Sequence, residues 1–566
     1  MHSSAREKAQ KPPPKPPSIL VYTAGNPVLF DRIRQNVVSV VPPDVYTVFH
    51  ISPDAIRRSH WVDPSSACLL IASTHELDDR AWAQLQEYFN KSGKMIFICQ
   101  NSLLTSLSSC DSIKKQASLL RVAFGEKHGS MTKDLEAFLK KTLKTLAKSG
   151  EVNEKYVSKD LVGGIKYSVV MTKKTDAPLL LYMESGGSHT ASAVFSDATS
   201  EQLLSQGSTI VKDALARVGV EVETQKQAPS LSIGYFIGDE LEINGMKSIR
   251  YGEEIGSCPH LFLRKESLVK EHPLPSPRND LLPVQVVSKY SDVPFFDSRK
   301  FFQTLKTLTL GRAVLFVPVV TTTMDVSKSL SDALPGSDGL VVIARQQVKG
   351  QGRGGNEFLS PIGVAMFTFN CILPSSAALA KNPSFLQHVV SLAVVLAVDQ
   401  LSGQEDFPLR IKWPNDFYYN RSHKVGGLLV TARTRDDCIE FTIGVGINVS
   451  NSRPTICLND MLPDNHPNDF CVEEVIAMSL NKFEQLLNLY ENKGQGKFLE
   501  EYYKHWLHSR EEVSLGDEHE RVIIRGLDQN GFLEVRSRKH AHKLYSVADD
   551  GNTFDMMKGL IRMKIK

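Results

Sequence analysis

The chain has 566 residues, 42% of them apolar and 23% charged, the proportions of a folded globular protein rather than a disordered or fibrous one. Its net charge of +3 comes without a basic tail or stripe, so direct DNA binding is not expected. Eight scattered cysteines with no C-x-x-C pair argue against a zinc site or a disulfide framework. No apolar run reads as long enough to span a bilayer, so no membrane association is expected. The length calls for three or more domains.

Residues 1–17 hold Lys11-Pro12-Pro13-Pro14-Lys15-Pro16-Pro17, a polyproline-type tail read as disordered. They carry no apolar signal core, and the prolines would break the amphipathic helix of a mitochondrial leader. The expected location is cytoplasmic, with mitochondrial and nuclear pools left open. Residues 18–225 alternate short apolar runs with amphipathic stretches. Ile19–Tyr22, Cys68–Ala72 and Met95–Cys99 read as buried parallel strands, and Leu77–Lys91 as a helix between two of them. That is an α/β layered domain. Cys99 ends a strand, where a nucleophile can sit, and Gly186-Gly187-Ser188-His189 offers a histidine. However, Gln100-Asn101-Ser102 follows Cys99 in place of the glycine of a nucleophile elbow, which favours a structural cysteine over an amidase.

Residues 226–295 read as a connecting region, with His272-Pro273-Leu274-Pro275-Ser276-Pro277 as an extended linker. A further α+β domain is expected over 296–508. Its apolar spacing from Phe385 to Leu401 predicts a helix with one buried face, and Leu409–Trp413 alternates as a half-buried strand does. Leu428–Val430 and Phe441–Gly444 read as strands, and Val475–Trp506 as mainly helical. Over 509–566, short strands split by Asp528-Gln529-Asn530-Gly531 and Asp549-Asp550-Gly551-Asn552 predict a small β-barrel.

The chemistry concentrates in residues 296–508. Gly350-Gln351-Gly352-Arg353-Gly354-Gly355-Asn356 follows the apolar run Gly339–Ala344. Glycines let backbone N–H groups approach a ligand closely, and Arg353 adds a forked cation suited to phosphate or carboxylate. The loop is neither a P-loop nor the dinucleotide fingerprint, because no Gly-Lys-Ser/Thr closes it and no G-x-G-x-x-G opens a helix. An ordinary tight turn is the plainer reading of the loop alone. The order of pieces changes that. Thr321-Thr322-Thr323 and Gln347 precede the loop. Ser360-Pro361-Ile362-Gly363, Lys412-Trp413-Pro414-Asn415-Asp416, Lys424-Val425-Gly426-Gly427 and Gly444-Val445-Gly446-Ile447-Asn448 follow it.

Over residues 296–566 this series resembles the biotin protein ligases, closest to the long animal type called holocarboxylase synthetase. The resemblance implies an α+β catalytic domain of the biotin/lipoate ligase type, a degenerate class I glutamine amidotransferase-like domain before it and an SH3-like barrel after it. It implies that biotin attacks the α-phosphate of ATP to give biotinyl-5′-adenylate, with Mg²⁺ as cofactor. Transfer then goes to a lysine of the biotin-carrier domains of acetyl-CoA, pyruvate, propionyl-CoA and methylcrotonyl-CoA carboxylases. Thr321, Thr322, Thr323, Gln347, Gln351, Gly352, Arg353, Lys424 and Gly427 are then the biotin contacts. Gly350, Gly354, Gly355, Asn356, Lys412, Trp413, Asn415 and Asn448 lie on the ATP side. Arg353, Lys424 and Asp416 carry catalysis, and Asp416 is also the candidate Mg²⁺ ligand. Where the bacterial form has an arginine, this chain has Gln351.

Read without the resemblance, several of these residues have plainer roles. The threonines suit a strand end, Asn415-Asp416 a turn, Lys424 a solvated loop and Trp413 the core. A lipoate or octanoate ligase shares the architecture, and a non-catalytic carboxylase-binding scaffold is the alternative from another class. No helix-turn-helix precedes the catalytic region, unlike the bacterial members that double as repressors.

Overall fold

The computed structural model describes residues 15–98, most of 152–238, residues 250–548 and two short strands beyond, each stretch with brief internal gaps. The chain forms two compact units, 16–228 and 229–566.

The first unit is built on one mixed sheet. Its strands are β1 (Ser18–Tyr22), β2 (Thr47–Ile51), β3 (Ser66–Ile71), β4 (Met95–Ile98), β5 (Val152–Val157), β6 (Tyr167–Lys173), β7 (Leu180–Ser185) and β8 (Ala191–Ser196), in the order β2-β1-β3-β4-β8-β7-β6-β5. The half from β2 to β8 is parallel, as the uninterrupted apolar runs predict, because strands buried on both faces have no polar side to show. The half from β8 to β5 is an antiparallel meander. Helices α1 (Pro27–Val38), α2 (Asp79–Asn90) and α3 (Gly207–Arg217) complete the layers. Asn26 caps α1 and Asp78 caps α2, each side chain accepting from a backbone N–H of the first turn. Cys99 and Gly186–His189 lie outside the described residues.

The second unit carries an 11-stranded sheet in the order β10-β11-β12-β9-β13-β14-β15-β19-β18-β17-β16. Four of these strands lie in the region read as a linker: β9 (Gly234–Ile237), β10 (Glu254–Ile255), β11 (His260–Lys265) and β12 (Leu281–Val287). That reading is corrected here. β9 pairs antiparallel with β13 (Val314–Val320), and β12 pairs parallel with β9. Phe236, Leu261, Leu263, Leu282 and Val284 are buried with Leu315, Val317 and Val342 in one cluster. The proline stretch 273–277 is a connection inside this sheet domain. Prolines signalled a break in regular structure, but burial decided to which domain the flanking strands belong.

The remaining strands are β14 (Val341–Gln347), β15 (Val364–Pro374), β16 (Leu409–Lys412), β17 (Asp416–Tyr419), β18 (His423–Arg435) and β19 (Cys438–Asn448). One face is covered by α4 (Ser298–Thr304), α6 (Leu386–Ser402) and α7 (Val472–His505), the last broken at Gly494, where φ is +78°. The segment Pro383–Ser402 is long and apolar enough to cross a membrane, which corrects the sequence reading that no run reaches that length. Thirteen residues of α6 are buried, so it serves as the core helix of this domain. Helix α5 (Thr323–Ala333) leaves the end of β13 at the threonine run.

Beyond α7 come β20 (Glu512–Leu515), β21 (Glu520–Leu527), β22 (Leu533–Ser537), β23 (Leu544–Val547), β24 (Thr553–Asp555) and β25 (Leu560–Arg562). They form a six-stranded sheet in the order β23-β22-β21-β20-β25-β24. Val513, Val522, Ile524, Leu533 and Val535 join the core under the helices of the 11-stranded sheet.

Candidate active site

The sheet brings two polar groups to its surface, with two glycines between them, one of them covered by the Phe358 ring. The first group sits where β13 ends and α5 begins. Thr321, Thr322 and Thr323 are all buried. The Thr322 hydroxyl caps α5, accepting from Met324 N at 3.3 Å. Thr323 donates to Gln347 Oε1 from its backbone N at 2.8 Å and from its hydroxyl at 3.1 Å. Gln347 in turn donates to Ser360 Oγ at 3.1 Å, and Thr368 donates to Thr323 Oγ1 at 2.8 Å. Each side chain fixes the next. Hydroxyls and an amide held in this way offer both donors and acceptors to a neutral cyclic urea.

The second group sits at the β16–β17 turn. Asp416 Oδ1 lies 2.6 Å from Lys424 Nζ, and its Oδ2 lies 3.8 Å from Lys412 Nζ. Burial pushes the Asp416 carboxyl up. Lys424, Lys412 and Arg353 together more than offset that and hold it below the usual carboxylate range. Lys424 owes its position to a β-bulge. The β17–β18 register runs Asp416↔Gly427 and Phe417↔Gly426, then slips so that Tyr418 faces Lys424. Regular alternation would put Val425 on the face of Asp416; the extra residue puts Lys424 there. Three cations therefore surround one carboxylate, an excess of positive charge suited to an anionic ligand.

Between the groups, register lines up Ala344, Met366, Gly446, Gly427 and Asp416 across five adjacent strands. Residues paired across strands share a face, so Met366 and Asp416 are separated by three strand spacings, about 14 Å, with two glycines between. The glycines have specific reasons. A Cβ at Gly427 would stand 3.0 Å from Asp416 Oδ1 and 3.2 Å from the Asn415 carbonyl. A Cβ at Gly446 would strike the Phe358 ring, and one at Gly444 would come within 2.5 Å of Met324 Sδ. Gly350, which opens the glycine loop, would strike the Phe358 carbonyl. The loop is pinned at its neck, where Phe358 N donates to the Gly350 carbonyl at 2.9 Å and Gln351 bridges to Glu357. Gln351 also reaches Asp325 Oδ1 at 3.4 Å, and Gly352 is half-buried. Gly354, Gly355 and Asn356 lie outside the described residues.

Several of the expected contact residues have structural roles in the fold. Trp413 is 1% exposed, so its indole is part of the core. Asn415 donates its amide to the Leu428 carbonyl, tying the turn to β18. Asn448 donates to Thr455 Oγ1 at 2.9 Å and to the Ile456 carbonyl at 3.1 Å. Both asparagines brace backbone, which is what a buried amide must do to stay satisfied. Asp416 does not fit a metal ligand, because both its oxygens face ammonium groups that would repel a dication. Among the described residues no group of three His, Cys, Asp or Glu side chains could hold a metal ion. Sequence reading missed Ser360 and Thr368 as partners of Gln347 and Thr323, and Phe358 as the residue lying on Gly446. Only the Gly-x-Gly pattern inside a strand hinted that another group approaches there.

Residues 316–448 match the model of the biotin/lipoate A/B protein ligase family. The chain is 34% identical to the biotin–protein ligase 1, chloroplastic, of Arabidopsis thaliana over 48% of its own length and 74% of that protein. The chain belongs to the biotin–protein ligase family. The human biotin–protein ligase is 28% identical over 97% of this chain and 78% of its own length, so the match to that ligase takes in the N-terminal half as well. A biotin protein ligase from Aquifex aeolicus, solved in complex with biotin and ATP, is 24% identical and covers 41% of this chain and 94% of its own, with a TM-score of 0.34. As a member of the ligase family the chain is an enzyme that joins biotin to protein through a C–N bond, and the two polar groups and their glycine floor are its candidate active site.

Proposed function

We propose that this biotin–protein ligase works in two half-reactions on the one sheet face. The biotin carboxylate attacks the α-phosphorus of ATP, a C–O–P bond forms, and pyrophosphate leaves with the electron pair of the broken P–O bond. The amine of an acceptor lysine then attacks the acyl carbon, releasing AMP and leaving an amide. The supporting observation is the excess of cations around Asp416, separated from the Thr321–Gln347 cluster by Gly427 and by Gly446, on which the Phe358 ring lies. Bringing two anions together requires positive charge already in place, and Lys424, Lys412 and Arg353 are positioned to supply it.

Thr323 and Gln347 would orient the neutral biotin ring, and Lys424 would meet its carboxylate. Asp416 holds Lys424 in place through their 2.6 Å ion pair. It is also a candidate to receive the acceptor lysine's proton, although its low pKa makes it a weak base and favours the orienting role. The Gly350–Asn356 loop would close over the mixed anhydride and exclude water. Mg²⁺, which Asp416 is not placed to hold, would arrive with the phosphates of ATP. The acceptors would be the biotin-carrier domains of carboxylases. The N-terminal α/β unit would be of the degenerate amidotransferase type, biasing the choice of acceptor, and the C-terminal sheet of the SH3-like type. Biotin-dependent exchange of labelled pyrophosphate into ATP tests the reading. Exchange driven by lipoate or octanoate instead of biotin, or by none of them, would overturn it.

A further inference from the structure

Strand β16 is the last strand of the 11-stranded sheet, so its outer edge needs partners. The segment after α7 supplies them. Ile411 bridges in parallel to Trp506, and Leu507 N donates to the Ile411 carbonyl at 2.9 Å. The next donor on that edge is the Trp413 N–H, at the start of the Pro414-Asn415-Asp416 turn. Among the described residues no backbone carbonyl accepts from it. It donates to Nε2 of His508, a fully buried side chain, at 3.0 Å.

That contact dictates the rest of the ring. Nε2 must be unprotonated to accept, so Nδ1 carries the hydrogen, and it faces Glu511 Oε2 at 3.1 Å. Arg421, from the β17–β18 connection, donates to the other Glu511 oxygen at 2.7 Å and to the Leu507 carbonyl at 2.9 Å. The imidazole stands in for a strand carbonyl, satisfies the buried Trp413 N–H and fixes it at one point. The two charged side chains of the turn, Lys412 and Asp416, flank that point.

We propose that His508, held in one tautomer by Glu511 and Arg421, is a positioning residue for adenylation: its Nε2 anchors the backbone that aims Lys412 and Asp416. This rests on the adenylating role proposed above. The charged groups facing the ring are Glu511, Lys412 and Arg421, and the edge of Trp506 packs against it. Burial lowers the pKa of His508, consistent with a neutral ring. Protonation would turn Nε2 into a donor facing a donor and release the turn.

The experiment uses the full chain, with biotin-dependent ATP–pyrophosphate exchange measured from pH 5 to 9. Circular dichroism reports folding. His508→Phe keeps an aromatic ring but has no acceptor; its kcat for exchange should fall about tenfold or more, the scale of a small displacement at a reacting centre, with KM for biotin little changed. His508→Gln restores an acceptor that does not titrate. It should recover most of the rate and lack the acid-side decline expected of the wild type. Wild-type kcat in His508→Phe, or a folded His508→Gln whose acid limb coincides with that of the wild type, would overturn the assignment. If His508→Phe fails to fold, the pH profile of His508→Gln decides alone. Absence of exchange in the wild type would instead refute the adenylating role itself.

Discussion

Two truncations separate a linker from a structural element. Removing residues 1–228 takes away the first compact unit. Removing residues 1–290 also takes away β9 to β12. In the longer deletion Leu315, Val317, Val326, Leu330 and Val342, each at most 1% exposed, lose the cover of Phe236, Leu261, Leu263, Leu282 and Val284. Fully exposing one such side chain costs about 1.5–3 kcal/mol, so half-exposing the five costs roughly 4–8 kcal/mol. The three residues of β13 from Val314 to Phe316 also lose their ladder partners on β9. A typical domain has only about 5–15 kcal/mol of stability in total. The chain starting at 229 should therefore fold, melt cooperatively and catalyse biotin-dependent exchange near the full-length rate. The chain starting at 291 should be insoluble or melt far lower. Thermal melting by calorimetry and the exchange assay on both would decide. Equal stability and equal exchange in the two truncations would refute the claim that residues 234–287 belong to the catalytic sheet.

Other expectations concern single residues. Lys424→Ala and Arg353→Ala should each lower biotinyl-adenylate formation by about a hundredfold, the usual loss when one preorganised charge contact is removed; near-normal formation in both would refute their roles. Gly446→Val must displace the Phe358 ring, so biotin binding by calorimetry should weaken markedly while the chain still folds; unaltered binding would show that the position of Phe358 is irrelevant. Asp399, buried beneath His505 at 3.6 Å, has its carboxyl pKa pushed up to about 7 by burial. A raised carboxyl favours folding below its unfolded pKa of 3.8, and stability is lost as pH rises toward 7. Asp399→Asn should thus raise the melting temperature at pH 8 and leave it nearly unchanged at pH 4; the reverse ordering would show that the carboxylate is compensated.

The sequence by itself determined the ligase signature, three of the parallel strands of the first unit and the two long helices of the second. Those signals are local: apolar period, glycine density and the residue types that chemistry demands. Apolar runs such as Cys68–Ala72 and the period of Phe385–Leu401 survive folding because burial is what produced them. What only the tertiary structure decided depends on register and long-range pairing. The bulge that turns Lys424 toward Asp416 is one extra residue, and its spacing in the chain does not reveal it. Asn415 and Asn448 look like ligand contacts in sequence, yet each amide answers a carbonyl that only the fold brings near. The strands over 234–287 were hidden by prolines and by pairing to a strand some eighty residues on. His508, nearly a hundred residues from Trp413, meets it because an edge strand needs a partner and the chain leaving α7 passes that edge.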